Sequence, residues 1–476
     1  MTLKNKLVSG GIFLGITNVV SQITSVGLNI VLAKLLFAED FGLIALTTTF
    51  IGFIIMVFNV GFGSAIIHYK ESSRRQISTL YLLNYFIALL TFVIVYISSP
   101  FAAEYYNSPQ LDSLIKWCSL TLLINPVFLT HYKILERDLE FKKISQIVIY
   151  STILSAALSI WAAFNGFGVY ALVIQTLAIV FFKLIFTLVF SRWKPLLYFN
   201  LREVKHMIWY AVKYRVSMGF LYFERNIDYL ILGKFFNSST LGYYSFSYNV
   251  MYTPVKRISN IFADVLFPSL SSIKKDTKQI IEIYFKSMQI IGMISFPLMT
   301  LVSLNADWIV LSIFGEKWLG AIPILQILCF AGAIQSISQF GTVVLDSIGK
   351  PELSLYVSFF RGLVTVLAIV IGAQYGVIMV AYLILITKVL GWLIVLFIIR
   401  LKIHFQFNIL FGYLKGIFLS ILLLLLIDYI FENGLKINIS GKYKLIYHTI
   451  IISVAIWFFY KSILKLLFKS LMKKIK

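Results

Sequence analysis

Apolar runs of about 20 residues, the length a helix needs to cross a bilayer, recur along nearly the whole chain. The sequence predicts about 14 of them, near 10–33, 41–67, 79–100, 111–132, 144–164, 168–190, 209–234, 241–270, 284–304, 320–347, 352–373, 376–399, 409–431 and 446–467. A run of this length in lipid folds as a helix, because a helix pairs its backbone N–H and C=O groups within the segment. The expected fold class is therefore an all-α polytopic membrane protein. Composition agrees: 59% of the residues are hydrophobic and 13% charged, with a mean hydropathy of +0.89, outside the range of soluble domains. The longest polar stretches, 191–208 and 432–445, are too short to fold as domains.

A net charge of +22 would suit a nucleic-acid binder, but its distribution speaks for a membrane instead. Lys and Arg gather in alternate loops, "HYKESSRRQIS", "ILERDLEFKK" and "SSIKKDTK", whereas the intervening turns "NGFG" and "GAQYG" carry no charge. Basic loops stay on the cytoplasmic side, which places both termini there, including the tail "KSLMKKIK" beside anionic lipid. The exception is Lys436, Lys442 and Lys444, on the expected outer side. Cys118 and Cys329 lie in apolar runs, and the five His form no ligand spacing, so neither a disulfide framework nor a metal or other cofactor is expected. Residues 10–33 follow a basic start without a small-residue cleavage site and read as a first span.

The segment "LAKLLFAEDFGLIAL" (32–46) has a counterpart in "LGKFFNSSTLGYYSF" (232–246). Leu32, Lys34 and Gly42 recur as Leu232, Lys234 and Gly242 at an ungapped offset of 200. Each copy joins a first span to a second, and six spans separate the copies, so both share one orientation. That is a parallel repeat about an axis along the membrane normal, an arrangement that transporters use to rock two bundles around a central site. The division expected is a six-helix lobe over 1–190, a basic cytoplasmic linker at 191–208, a second six-helix lobe over 209–400, and two added helices with a basic tail over 401–476.

A charge at the bilayer centre costs roughly 2.5–3.5 kcal/mol on insertion scales. Lys34, Lys116, Lys213, Lys286 and Lys415 lie near span ends, where their long stems reach the interface. Arg225, Lys256, Arg257, Arg361 and Lys388 lie near mid-span, and Arg215 somewhat closer to the inner face. Their acidic company is Glu224, Asp228 and Asp264. Arg225 and Glu224 each share a helix face with Asp228, and that face must point to the protein interior or a water-filled cavity. Two readings stand for it: a structural Arg–Asp pair, or the polar wall of a transport pathway. Pro254 removes one backbone hydrogen bond beside Lys256 and Arg257 and is a candidate hinge. The central cations outnumber the anions, so a cavity they line attracts anions, and Arg suits phosphate oxygens through its bidentate fork.

Four stretches carry a resemblance: "VLAKLLFAEDFG" with "NVGFGSAIIH", "NGFGVYALVIQTL", "NIDYLILGKFFNSSTLGYYSFSYNVMYTPV" with "ADVLFPSLS", and "LSIFGEKWLGAIPILQIL". They resemble the polysaccharide flippases of the multidrug/oligosaccharidyl-lipid/polysaccharide exporter superfamily, in particular the colanic and teichuronic acid exporters. The resemblance implies two six-helix lobes plus two further helices. It also implies alternating-access movement of a polyprenyl-diphosphate-linked oligosaccharide across the inner membrane, for surface polysaccharide synthesis beside a polysaccharide polymerase machinery. A proton or sodium ion would drive the step, with Asp228, Glu224 and Asp264 as candidate coupling carboxylates. Two rival readings are a multidrug cation exporter of the same superfamily and a membrane enzyme. The first wants a buried carboxylate that spans 1 to 3 lack; the second wants paired acid/base residues on a sizeable loop, and the loops are short.

Overall fold

The computed structural model describes residues 3–58, 60–272, 277–403, 405–430, 443–451 and 453–454, with the side chains of Glu224, Arg225 and Asp264 outside the described set. Contacts divide the chain into two compact units, Met1–Gly242 and Tyr243–Lys476. The first contains α1 (Leu3–Leu35), α2 (Ala38–Phe58), α3 (Phe62–His68), α4 (Arg74–Tyr105), α5 (Gln110–Arg137), α6 (Phe141–Phe164), α7 (Tyr170–Phe190), α8 (Leu201–Phe235) and the first turn of α9 (Ser238–Ser272). The second contains the rest of α9, α10 (Thr277–Leu304), the short α11 (Ala306–Ile309), α12 (Ile322–Ser338), α13 (Phe340–Ser347), α14 (Pro351–Ala373), α15 (Val377–Ile403) and α16 (Phe407–Tyr429). A helical segment follows at 443–451, and most of the run predicted at 446–467 lies outside the described residues.

Among the described residues, 11 helices are long and apolar enough to cross a membrane. Helices α8 and α9 are not among them, although each has 35 residues, about 50 Å at 1.5 Å per residue. The charges of α8 and the Ser, Tyr and Asn content of α9 lower their hydropathy. These two helices are the ones that carry most of the expected central charges.

Two predicted spans are broken. The run at 41–67 stops as α2 at Phe58 and resumes as α3 after Gly61, whose φ of 76° is left-handed, a conformation glycine adopts without steric cost. The run at 320–347 divides at Gln339 into α12 and α13. The basic stretch after α7 has no regular secondary structure over residues 191–200 and turns helical at Leu201. It is strapped to the start of α4: Leu196 N donates to Ser78 Oγ at 2.9 Å, Asn200 N to Thr79 Oγ1 at 3.3 Å, and Arg74 Nε to Lys194 O at 2.9 Å. Each helix start is itself capped. A Ser73–Gln76 capping box closes α4, and the Asn200 side chain accepts from Arg202 N at 3.1 Å at the head of α8, satisfying backbone donors that a helix start leaves open.

Within the first unit α6 packs on α1 and α7, α5 on α4 and α7, and α8 on α2, α3 and α4. Within the second, α12 packs on α10 and α15, α14 on α15, and α16 on α10. The repeat read from the sequence reappears in the geometry: α1 ends at Leu35 and α2 begins at Ala38, while α8 ends at Phe235 and α9 begins at Ser238, the same offset. The paired glycines meet. A Cβ on Gly42 would stand 1.9 Å from Ser238 O, and one on Gly242 would stand 1.8 Å from Ala38 O. Two backbones therefore touch with no side chain between them, the contact that small residues permit between helices in lipid. Gly42→Ala and Gly242→Ala are each expected to cost about 1–3 kcal/mol or more, the usual overpacking penalty. Thermal unfolding in detergent checks this against Gly11→Ala, whose added Cβ meets nothing within 4 Å and which is expected to be neutral or mildly stabilising.

Candidate functional site

Helix α8 sets the depth of its charges. Lys234, one residue from its C-terminal end, reaches back to Tyr105, donating to its carbonyl at 2.7 Å and lying 4.2 Å from its ring centre. This is an interfacial anchor. Counting inward at 1.5 Å per residue, Asp228 lies about 9 Å deeper, Arg225 about 13 Å and Arg215 about 28 Å. In a hydrocarbon core of about 30 Å, Arg225 is at the middle and Arg215 at the far boundary.

Arg215 meets the broken span. Its Nη2 donates to Ile55 O at 3.3 Å, a carbonyl in the last turn of α2, and a cation there complements the helix dipole. The Nε of Arg215 is buried with no hydrogen-bond partner among the described residues. Above it Tyr222 donates to Thr49 O at 3.4 Å and packs edge-on to Phe53, ring centres 5.5 Å apart. Gly52 makes room for that ring, since a Cβ would stand 1.8 Å from the Tyr222 hydroxyl. Asn226 returns its amide to Tyr222 O at 2.8 Å, and Asp228 is buried with Oδ1 accepting from Tyr229 N at 3.0 Å. The expected Arg225–Asp228 and Glu224–Asp228 relations, and Asp264, fall outside the described side chains.

The polar lining of the cavity described in the first unit is neutral. A cavity of about 220 Å³ opens among α2, α4 and α5, with Asn84, Thr91 and Asn125 as its polar lining and Ile55 at its edge. Pro126, inside α5, also lines it and frees a carbonyl one turn back. Cys118 and Cys329 are buried free thiols.

In the second unit, Pro254 sits within a continuous α9, and Lys256 and Arg257 are exposed. The sequence reading missed what leads to Lys256. Tyr244, Tyr248 and Tyr252 stand four residues apart on one face of α9, stacked at 6.0 Å with 28° between rings and then at 5.6 Å with 25°. Lys256 continues the stripe, its Nζ 6.0 Å from the Tyr252 ring. Tyr244 is buried while Lys256 is exposed, so the aromatic stripe runs outward to a cation. The period of four in "YSFSYNVMYTPVK" was the available signal. Arg361 on α14 and Lys388 on α15 are both half-buried. Arg361 lays its stem on α15 where Gly391 has no side chain, a Cβ there standing 2.9 Å from Arg361 Cδ. Gly391 is one turn from Lys388, so both cations belong to the α14–α15 seam. No group of three or more His, Cys, Asp or Glu among the described residues is arranged to hold a metal ion.

A model of a family described as "polysaccharide biosynthesis protein" matches residues 31–323. The chain is 30% identical over 303 residues to the teichuronic acid biosynthesis protein TuaB of Bacillus subtilis, covering 63% of each chain. It is 27% identical over 379 residues to the lipopolysaccharide biosynthesis protein WzxC of Escherichia coli, covering 79% of this chain and 76% of that one. Among solved structures, the inward closed conformation of the lipid II flippase MurJ superposes with a TM-score of 0.76 at 14% identity, over 96% of this chain and 100% of that one. An inward-facing multidrug resistance MATE family transporter of the MOP superfamily superposes with a TM-score of 0.64 at 15% identity, over 81% and 94%. At these identities the two structures establish a shared fold. Gly52→Ala is expected to destabilise the first unit by driving a methyl into Tyr222, and Tyr222→Leu in the same chain is expected to recover part of the loss. A double-mutant cycle on thermal unfolding reads that coupling.

Proposed function

The chain belongs to the polysaccharide biosynthesis protein family, and we propose that it flips a polyprenyl-diphosphate-linked oligosaccharide repeat unit across the bacterial cytoplasmic membrane by alternating access. The observation that carries this reading is the chemistry of α9, α14 and α15. A stacked Tyr stripe ends at Lys256, and Arg361 and Lys388 share a seam in the same unit. Flat aromatic faces suit the C–H faces of pyranose rings, and cations suit a diphosphate. The relatives named for teichuronic acid and lipopolysaccharide biosynthesis support a glycan cargo. On this reading residues 1–190 and 209–400 act as the two rocking lobes, 191–208 as their cytoplasmic connector and 401–476 as an added helical pair. Both termini face the cytoplasm. A proton or sodium gradient drives the step, and the product is handed to a polysaccharide polymerase.

Efflux of organic cations is the second reading, favoured by the fold shared with the multidrug transporter. The cavity described in the first unit is lined by amides and a hydroxyl and by no carboxylate that could hold a cation, which weighs against it. The deciding experiment uses the purified full chain in liposomes with lipid-linked oligosaccharide on both leaflets, probed by a lectin that cannot cross. Protein-dependent movement is expected, and Arg361→Gln and Arg225→Gln are each expected to slow it about tenfold or more, the loss of one charge-assisted contact. Normal movement in both variants removes these cations from the pathway. No movement, together with organic-cation efflux from the same vesicles, replaces the flippase reading with the exporter.

A further inference from the structure

At one end of the second unit His448 is fully enclosed, at 0% exposure. Its Nε2 lies 2.9 Å from Asp428 Oδ1. Its Nδ1 faces the side-chain amide of Asn305, 3.0 Å from Nδ2 and 3.3 Å from Oδ1. Asp428, in the last turn of α16, also accepts the Tyr447 hydroxyl at 2.9 Å, and Lys444 Nζ stands 3.7 Å from the same oxygen. Asn305, just past α10, ties its amide to Leu301 O at 2.8 Å. Three chain segments thus converge on one imidazole: the end of α16, the helical segment at 443–451 and, 143 positions before His448, Asn305 at the end of α10.

A buried histidine usually has partners for one protonation state. This one has them for both. The neutral ring donates from Nε2 to Asp428 and accepts at Nδ1 from Asn305 Nδ2, whose second hydrogen serves Leu301 O. The charged ring keeps its bond to Asp428 and donates from Nδ1 to Asn305 Oδ1, while the Leu301 bond persists. A cavity of about 570 Å³, lined by Asp428 and Lys444 with Ser303, Asp307, Gln326 and Tyr382, brings water to the carboxylate. Of the surrounding groups, Lys444 opposes a second positive charge, Asp428 and Asp307 favour one, and Tyr447 and Tyr382 are neutral. Charging His448 therefore places a second cation beside Lys444 at the Asp428 carboxylate, and Lys444 and His448 lie one helical turn apart.

We propose that His448, held between Asp428 and Asn305, is the proton-binding site through which the second unit takes up the ion that drives transport. The proposal rests on the flippase reading for its role in transport, but proton binding itself does not. One proton is added to His448 from water in the cavity that Asp428 lines. The uptake weakens the Lys444–Asp428 contact, so protonation is linked to how the 443–451 segment holds the ends of α10 and α16.

Two measurements test it on the full chain in lipid nanodiscs and liposomes. In ¹⁵N-histidine NMR of the wild type, one imidazole, missing from His448→Gln, is expected to titrate within the range of about pH 5 to 8 where histidine exchanges its proton. Lys444→Met removes the opposing cation and is expected to raise that midpoint by about one pH unit, a readout that remains if His448→Gln fails to fold. In lectin-probed liposomes, the wild-type rate is expected to change about tenfold per pH unit of the outer buffer on one side of the midpoint, as a single required proton dictates. The His448→Gln profile is expected to be flat. A His448 signal that does not move between pH 5 and 9, or a His448→Gln profile identical to the wild type, overturns the proposal. A chain that titrates at His448 but flips nothing overturns the transport reading instead and leaves the proton site standing.

Discussion

The close approach of two backbones at Gly42 and Gly242 is the constraint from which the rest of the first unit's geometry follows. Lipid offers no hydrophobic drive to press helices together, so packing in a bilayer depends on how near the backbones can come. With Ala38 and Ser238 carbonyls each within reach of the opposing glycine's Cα, the start of α9 is seated on the start of α2. Helix α8, two residues upstream of α9, is then obliged to run along α2. That path brings Tyr222 to Gly52 and Arg215 to Ile55 O. Each of these contacts uses a position where a larger residue would hold the helices apart.

The same logic explains why the charges are tolerable. Lys116 is paired with Asp112 at 2.8 Å and Lys234 reaches an interfacial carbonyl at 2.7 Å, so neither remains a charge in hydrocarbon. Lys183 lies 5.9 Å from the centre of the Phe128 ring, a face that attracts a cation. Arg215 donates to a carbonyl in the last turn of α2, so part of its burial cost is offset by a charge-assisted hydrogen bond.

The helical, polytopic class follows from run length alone, and the repeat was legible because its copies keep an ungapped offset that the helix ends reproduce. The breaks in the spans at 41–67 and 320–347 were hidden because apolar residues flank both closely enough to keep the averaged run apolar, and hydropathy does not report φ. The Tyr244–Tyr248–Tyr252–Lys256 stripe was present as a period of four but was masked by other Tyr and Phe nearby. The Asp428–His448–Asn305 cluster had no local signature at all: Asn305 and His448 are separated by 143 positions, and only packing brings them together. The exception to the basic-loop pattern gains a partial physical account from the same cluster, since Lys444 answers the buried Asp428.

The distribution of polar chemistry between the two units is itself an argument about mechanism. The described polar lining of the first unit's cavity is made of amides and a hydroxyl, Asn84, Asn125 and Thr91, which bind by hydrogen bonds and whose affinity changes little with pH. The second unit carries Lys256, Arg361 and Lys388, the aromatic stripe, and a buried histidine satisfied in either protonation state. A transporter gains directionality when its coupling ion alters the affinity for one state over another, which requires that ion and cargo act on elements that move together. Here α16 and the 443–451 segment bind the titratable pair, while α10, which α16 packs against, also packs on α12, and α12 packs on α15 with its Lys388. The proposed proton site and the cationic seam are thus joined by three successive helix contacts within a single unit.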